Sequence, residues 1–189
     1  MAATHLCVFC GSAPGGHPDY RRAAEELGAA LAPAGLGLVY GGGREGLMGA
    51  LADAALAHGV EVVGVIPQRL HDAELGHPGL HELLVVDGMA ERKAAMAARA
   101  RAFAVLPGGF GTLEEMFEAV SWAQLGYHDK PVGLLNTRGY FDRLLAFLEH
   151  AANEAFVRPE HRPLLNTAPC VPSLLRSLAI APATEPLSA

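Results

Sequence analysis

Two short stretches of this 189-residue chain hold residue types and spacings that could do chemistry. The first runs Pro107-Gly108-Gly109-Phe110-Gly111-Thr112 and reaches Glu115 within one further helical turn. Glycines let backbone N–H groups close on an anion, and a helix N-terminus adds the favourable end of its dipole. Thr112-x-x-Glu115 also has the form of a capping box, whose ordinary task is to start a helix with Thr112 as its cap. A capping box has no need of Gly108, Gly109 and Gly111 in front of it, so the loop reads as a phosphate cradle. A carboxylate that close to a bound phosphate is unfavourable unless it has a task or a cation beside it. The second stretch offers the cation. Met89, Arg92, Met96 and Arg99 share one stripe of a helix at i, i+3, i+4 spacing. Arg92 is then either a stem snorkelling past an apolar contact or a partly buried guanidinium aimed at the loop. Lys93 lies on a different face of that helix.

The elements that position these residues follow from the apolar runs. Strands are predicted near 6–10, 36–40, 60–66, 83–86, 102–106 and 132–135, with a short seventh near Cys170. Helices are predicted near 18–32, 45–58, 88–101, 112–125 and 140–153. Short buried strands alternating with helices predict an α/β fold: a Rossmann-like, doubly wound parallel sheet of three layers. One domain spans residues 1–180, and the proline-containing end, 181–189, is expected to be a flexible tail. Ligands of such sheets sit at the carboxyl ends of the strands. The loop Cys10-Gly11-Ser12-Ala13-Pro14-Gly15-Gly16 follows the first strand, and Gly41-Gly42-Gly43-Arg44-Glu45-Gly46 follows the second. Ser12, Gly43 and the Gly108–Thr112 loop are therefore expected along one edge, around a phosphate.

Several ligand classes are disfavoured. Gly41-x-Gly43-x-x-Gly46 has the form of a dinucleotide fingerprint, but the next strand ends Val65-Ile66-Pro67-Gln68, without the carboxylate that would hold the ribose. Glu61 stands at that strand's other end. No Gly-Lys-Ser/Thr exists, which removes a Walker loop. Net charge is −6 with no basic stripe, so nucleic acid is not an expected partner. With 51% hydrophobic residues but no apolar run of about 18, no membrane span is expected, and the chain is expected in the cytoplasm. Cys7 and Cys10 form a C-x-x-C within a strand rather than at a helix start, so they read as structural. No second Cys/His pair at ligand spacing accompanies them, and no metal is expected.

Met89-Ala90-Glu91-Arg92-Lys93 with Pro107-Gly108-Gly109-Phe110-Gly111-Thr112-Leu113-Glu114-Glu115 resembles the LONELY GUY (LOG) family, the cytokinin riboside 5′-monophosphate phosphoribohydrolases, often mislabelled as lysine decarboxylases. The resemblance extends through Ser121-Trp122-Ala123-Gln124-Leu125-Gly126 and His128-Asp129-Lys130-Pro131-Val132-Gly133-Leu134-Leu135-Asn136, and includes Cys10-Gly11-Ser12, Gly41-Gly42-Gly43 and Gly46-Leu47-Met48-Gly49. It implies that Arg92 and Glu115 are the catalytic pair and that Gly108, Gly109, Gly111 and Thr112 bind the phosphate. It also implies ligand contacts for Lys93, Glu74 and Ser121. The family usually has His at position 90 and Thr at position 121. Ser121 keeps the hydroxyl, whereas Ala90 removes a polar group beside the site.

The implied reaction is hydrolysis of the N-glycosidic bond of adenosine 5′-monophosphate or an N6-substituted relative, to free base and ribose 5-phosphate. Cleavage builds positive charge on the ribose, which Glu115 would stabilise while positioning water. Arg92 would neutralise the phosphate and keep Glu115 ionised. No cofactor is expected. A pyridoxal phosphate decarboxylase would need a Schiff-base lysine, and only Lys93 and Lys130 exist. A non-catalytic nucleotide-binding protein, such as a molybdenum-cofactor carrier, has no need of a carboxylate beside the phosphate. The resemblance further implies a homodimer. Ala90, Ala94, Ala95, Met96, Ala97 and Ala98 on one helix, and Met116, Phe117, Ala119, Val120 and Trp122 on another, cover more than one buried stripe, consistent with a second helical layer from another subunit.

Overall fold

The computed structural model describes residues 4–73 and 75–180. Its strands are β1 (His5–Phe9), β2 (Gly37–Tyr40), β3 (Val62–Pro67), β4 (Glu82–Val86), β5 (Ala100–Val105), β6 (Val132–Leu135) and β7 (Leu165–Ala168). They form one parallel sheet in the order β4-β3-β2-β1-β5-β6-β7. Its α-helices are α1 (Pro18–Ala30), α2 (Gly46–Ala57), α3 (Gln68–Asp72), α4 (Met89–Arg99), α5 (Phe110–Gln124), α6 (Asp142–Asn153) and α7 (Val171–Ser177). The central strands are apolar without alternation because both faces of the sheet are covered. Side chains still alternate between layers. Leu6 and Val8 join Leu38, Tyr40, Leu27, Leu51 and Leu174 on the face of α1, α2 and α7. Cys7 and Phe9 join Val39, Phe103, Met96 and Met116 on the face of α4 and α5.

The chain winds outward from β1 to the β4 edge, then returns to the other side of β1 as β5 and winds outward to β7. The direction reverses between β1 and β5, so the crevice at their carboxyl ends is where this topology opens a site. Among the described residues no helix is long and apolar enough to cross a membrane.

Some boundaries differ from expectation. The helix predicted to reach residue 101 stops at Arg99, because buried Ala100 is extended and pairs with His5. The seventh strand lies before Cys170, and Cys170 instead caps α7. Pro172 stands in the first turn of α7, where no N–H is needed, and Val171, Leu174 and Leu175 are buried. Short α3, with no buried residue, has no periodic signal to read. The expected tail, 181–189, lies outside the described residues.

Helices α1 and α2 touch at Gly28. A Cβ there would stand 2.5 Å from the Leu51 carbonyl oxygen and 3.0 Å from the Ala55 nitrogen, both backbone. Gly28→Val is expected to lower stability by about 2 kcal/mol or more through overpacking, read as a lower urea midpoint at unchanged slope.

Candidate active site

The three glycine loops are stitched together at the sheet edge. Gly11 N–H donates to the Pro107 carbonyl at 3.0 Å, and the Gly11 carbonyl accepts from Leu47 N–H at 3.0 Å and Met48 N–H at 3.3 Å. The start of α2 is thereby satisfied from within. Gly46 has φ of 62°, and a Cβ there would lie 2.3 Å from the Ser12 carbonyl carbon. Ser12 and Gly43 line one cavity of about 320 Å³, and Ser12, Gly108 and Gly109 line a second of about 620 Å³.

The start of α5 is different. The expected capping box is absent: Gly109 is the cap, without a side-chain bond, and Phe110 opens the helix. Glycine at the cap lets the chain turn into the helix three residues earlier than a Thr112 cap would. Thr112 falls inside the first turn, buried, with its hydroxyl so close to Gly108 that a Cβ on Gly108 would stand 2.1 Å from it. The N–H groups of the first turn point out of the helix end, where no intrahelical carbonyl can take them. A Cβ at Gly109 or Gly111 would meet nothing within 4 Å. The second cavity opens beside Gly108 and Gly109.

Arg92 crosses from α4 to the ends of β2 and β3. Its side chain is 10% exposed; Nε donates to the Val65 carbonyl and Nη2 to the Gly41 carbonyl, each at 3.1 Å, and Nη1 lies 3.6 Å from Glu115 Oε1. The guanidinium is buried rather than snorkelling, but its hydrogen bonds go to the Val65 and Gly41 carbonyls and not to the Gly108–Thr112 loop. Gly41 makes room for it, since a Cβ there would stand 1.8 Å from Nη2. Glu115, on the second turn of α5, is 8% exposed in its side chain. Burial raises its pKa to about 6, with Arg92 opposing the rise and Glu114 adding to it. The pair thus presents a buried carboxyl whose pKa stands at about 6, above the ordinary carboxylate range.

Lys93 is not free to meet a ligand in this arrangement. It is paired with Glu114 and lies 2.5 Å from Glu118 Oε2, bracing α4 against α5. Burial lowers its pKa, but the bonds to Glu114 and Glu118 outweigh this and the net shift is upward. Lys130, before β6, donates to the Ala97 carbonyl at 2.6 Å, at the end of the sheet remote from the glycine loops. Ser121 is not brought to the loops. Nine residues, about 13 Å along α5 from Thr112, it lies on the exposed face, in an apolar groove with Phe117, Leu145 and Leu148. Glu74 lies outside the described residues. Cys7 and Cys10 face opposite layers and are free thiols whose pKa burial pushes up. Among the described residues no group of three or more His, Cys, Asp or Glu could hold a metal ion.

The sequence reading missed Gly41 as Arg92's seat, and it missed His17, Tyr20, Arg138 and Tyr140, which line the larger cavity. The signal for Arg138 and Tyr140 was positional: the loop after β6 leaves the same sheet edge as the glycine loops.

The model of the possible lysine decarboxylase family matches residues 48–178. A probable cytokinin riboside 5′-monophosphate phosphoribohydrolase of Oryza sativa subsp. japonica is 51% identical over 92% of this chain and 76% of its own length. A cytokinin riboside 5′-monophosphate phosphoribohydrolase of Arabidopsis thaliana is 47% identical over 92% of this chain and 81% of its own. Among solved structures, the molybdenum cofactor binding protein of Rippkaea orientalis superposes with a TM-score of 0.70 at 20% identity, over 92% of this chain and 94% of that one. The molybdenum cofactor carrier protein of Chlamydomonas reinhardtii gives 0.68 at 21%, over 94% and 97%. At these identities the structural likeness is one of fold.

Gly41→Ala should leave the protein folded, because the clashing atom ends a flexible side chain, yet displace the guanidinium and lower turnover at least ~100-fold; circular dichroism with a steady-state assay checks both. Glu115→Gln should lower turnover by a similar factor. Its effect on stability depends on pH. A carboxyl whose folded pKa is raised is penalised as it ionises, so the melting temperature of wild type relative to the variant should fall between pH 4 and pH 7.5, on top of a pH-independent offset from leaving Arg92 without its counter-charge.

Proposed function

We infer the activity from one premise: this chain belongs to the possible lysine decarboxylase family and, within it, to the cytokinin riboside 5′-monophosphate phosphoribohydrolases. It hydrolyses the N-glycosidic bond of adenosine 5′-monophosphate, plain or N6-substituted. The bond from C1′ to the base nitrogen breaks, the oxygen of water bonds to C1′, and a proton passes to the departing base. The observation that carries this reading is the buried Arg92–Glu115 pair one turn from the open N-terminus of α5.

The 5′-phosphate is assigned to the loop of Gly108, Gly109, Gly111 and Thr112, where N–H groups and the helix dipole favour it. Holding the phosphate fixes the ribose over Glu115. Charge that develops on the ribose ring then meets a carboxylate that little water screens. Arg92 offsets the phosphate and, through Nη1, favours the ionised form of Glu115. The smaller cavity, beside Ser12, Gly43 and Arg92, takes the base, its walls made apolar by Met48, Ile66, Leu70 and Leu75. Lys93 acts through Glu114 and Glu118, keeping α4 and α5 in register beside the pair.

The working form in this reading is a homodimer in the cytoplasm. Met89, Phe117 and Leu125 are exposed, α6 buries no residue, and edge strand β4 is only half covered, so the layer of α4, α5 and α6 is short of cover. A second copy would supply it. Ser121, remote from its own loops, would then serve the interface groove and the partner's pocket. The free thiols of Cys7 and Cys10 suit a reducing compartment.

Incubation with AMP should release adenine and ribose 5-phosphate. Adenosine should show a kcat/KM at least ~100-fold lower, the loss expected when two or more charge-assisted hydrogen bonds to the phosphate are missing. Equal specificity constants would remove the phosphate anchor. Light scattering at micromolar concentration should give twice the 19.8 kDa chain mass; a fully active monomer would remove the dimer and the shared pocket.

A further inference from the structure

The loop after β6 is built around one side chain that the reaction as derived does not use. Tyr140 reaches into the larger cavity and donates its hydroxyl hydrogen to the Gly108 carbonyl at 2.6 Å. Its position is over-determined. Arg138 (φ 58°) and Gly139 (φ 68°) are consecutive left-handed residues, a conformation unfavourable for arginine and one that needs support from the surroundings. A Cβ at Gly139 would lie 2.3 Å from Asp142 Oδ2. Asn136 accepts from Phe141 N–H at 2.8 Å and donates to Asp142 Oδ1 at 2.7 Å, closing the turn. Arg138 is tied to Asp19 at 3.1 Å, and Phe141 is fully buried. The Tyr140 ring meets Tyr20 edge-on at 5.8 Å and Phe141 at 4.9 Å.

The acceptor is equally specific. Gly108 and Gly109 are adjacent residues without side chains, so the peptide between them can rotate more freely than any other in the loop. In a trans peptide the C=O and N–H point in opposite directions. With the Gly108 carbonyl held toward Tyr140, the Gly109 N–H points to the other side of the loop. Gly109 is the cap of α5, and among the described residues its N–H meets no protein acceptor. If the peptide turned over, it would present a carbonyl oxygen to the anion in place of a donor.

We propose that Tyr140 is a positioning residue: it pins the Gly108–Gly109 peptide so that the Gly109 N–H faces the substrate's phosphate. This rests on the reading of α5's N-terminus as the phosphate site. The geometry assigns Tyr140 to phosphate binding alone, since its hydroxyl touches neither Arg92 nor Glu115.

Tyr140→Phe keeps the ring and its edge contacts and removes only the hydroxyl. The KM for AMP should rise about three- to tenfold, the worth of one hydrogen bond, with kcat within twofold. The inhibition constant of ribose 5-phosphate should rise by the same factor, and that of ribose and the kcat/KM for adenosine should not move. Tyr127→Phe, at an exposed tyrosine that lines neither cavity, should change none of these. An unchanged KM for AMP in Tyr140→Phe overturns the proposal. So does an equal loss on AMP and adenosine, which would mean the hydroxyl supports the fold or the chemistry instead. Wild-type protein that treats AMP and adenosine alike would remove the phosphate reading itself, and the proposal with it; that result is read on wild type alone and is not confused with the other two.

Discussion

A guanidinium taken out of water must be hydrogen-bonded and neutralised on every side, or it costs several kcal/mol. In this chain that requirement ties four elements together. Arg92 rises from α4, its Nε and Nη2 close on carbonyls at the ends of β3 and β2, and its Nη1 faces Glu115 on α5. Gly41 lies just past the end of β2, and Val65 lies in β3 one residue beyond the last pair with β2, Tyr40 opposite Gly64, so both carbonyls stand where the β2–β3 ladder has stopped. Gly41 supplies the space. Met96, one turn on from Arg92, is buried in the core and fixes the rotation of α4. Each of these choices is ordinary alone, and together they leave the guanidinium one orientation.

The same burial sets the character of the carboxylate. Three glutamates and two cations crowd the facing sides of α4 and α5, and exposure sorts them. Glu114 is half exposed and, with Glu118, takes Lys93 in an ion pair that water partly screens. Glu115 is left to Arg92 at 3.6 Å, a longer contact in a drier place. Burial pushes its pKa up, Arg92 pulls it down, and the balance falls at about 6. A carboxylate in that balance is less solvated than a surface one, and so better able to stabilise positive charge that forms beside it.

The strands and most helices were legible as apolar runs and 3.6-residue stripes, because burial on both faces of a parallel sheet leaves that trace. The stripe through Met89, Arg92 and Met96 placed Arg92 on the buried face. It left open where the guanidinium ends, because periodicity places a Cβ and not the tip of a long side chain. The start of α5 was misread for a related reason: Thr112-x-x-Glu115 has the spacing of a capping box, but Gly109 can cap with its backbone alone, and no pattern announces that. Tyr140 left only a positional trace, in the loop after a strand at the same sheet edge. Its role depends on two left-handed residues and on a strand order that brings the loop after β6 beside the loop after β5. Ser121, where the family usually has Thr, was a ligand contact only by resemblance, and the fold sets it on a surface away from the loops.

Burial raises the pKa of Glu115 and Arg92 opposes the rise. Selective carbon-13 labelling of glutamate side chains, with the Glu115 signal assigned by its loss in Glu115→Gln, allows its titration to be followed directly by NMR in wild type and in Arg92→Met. The wild-type midpoint should lie near pH 6 and move upward when the guanidinium is gone. A midpoint in the ordinary carboxylate range of about 4.3, unmoved by Arg92→Met, would contradict this.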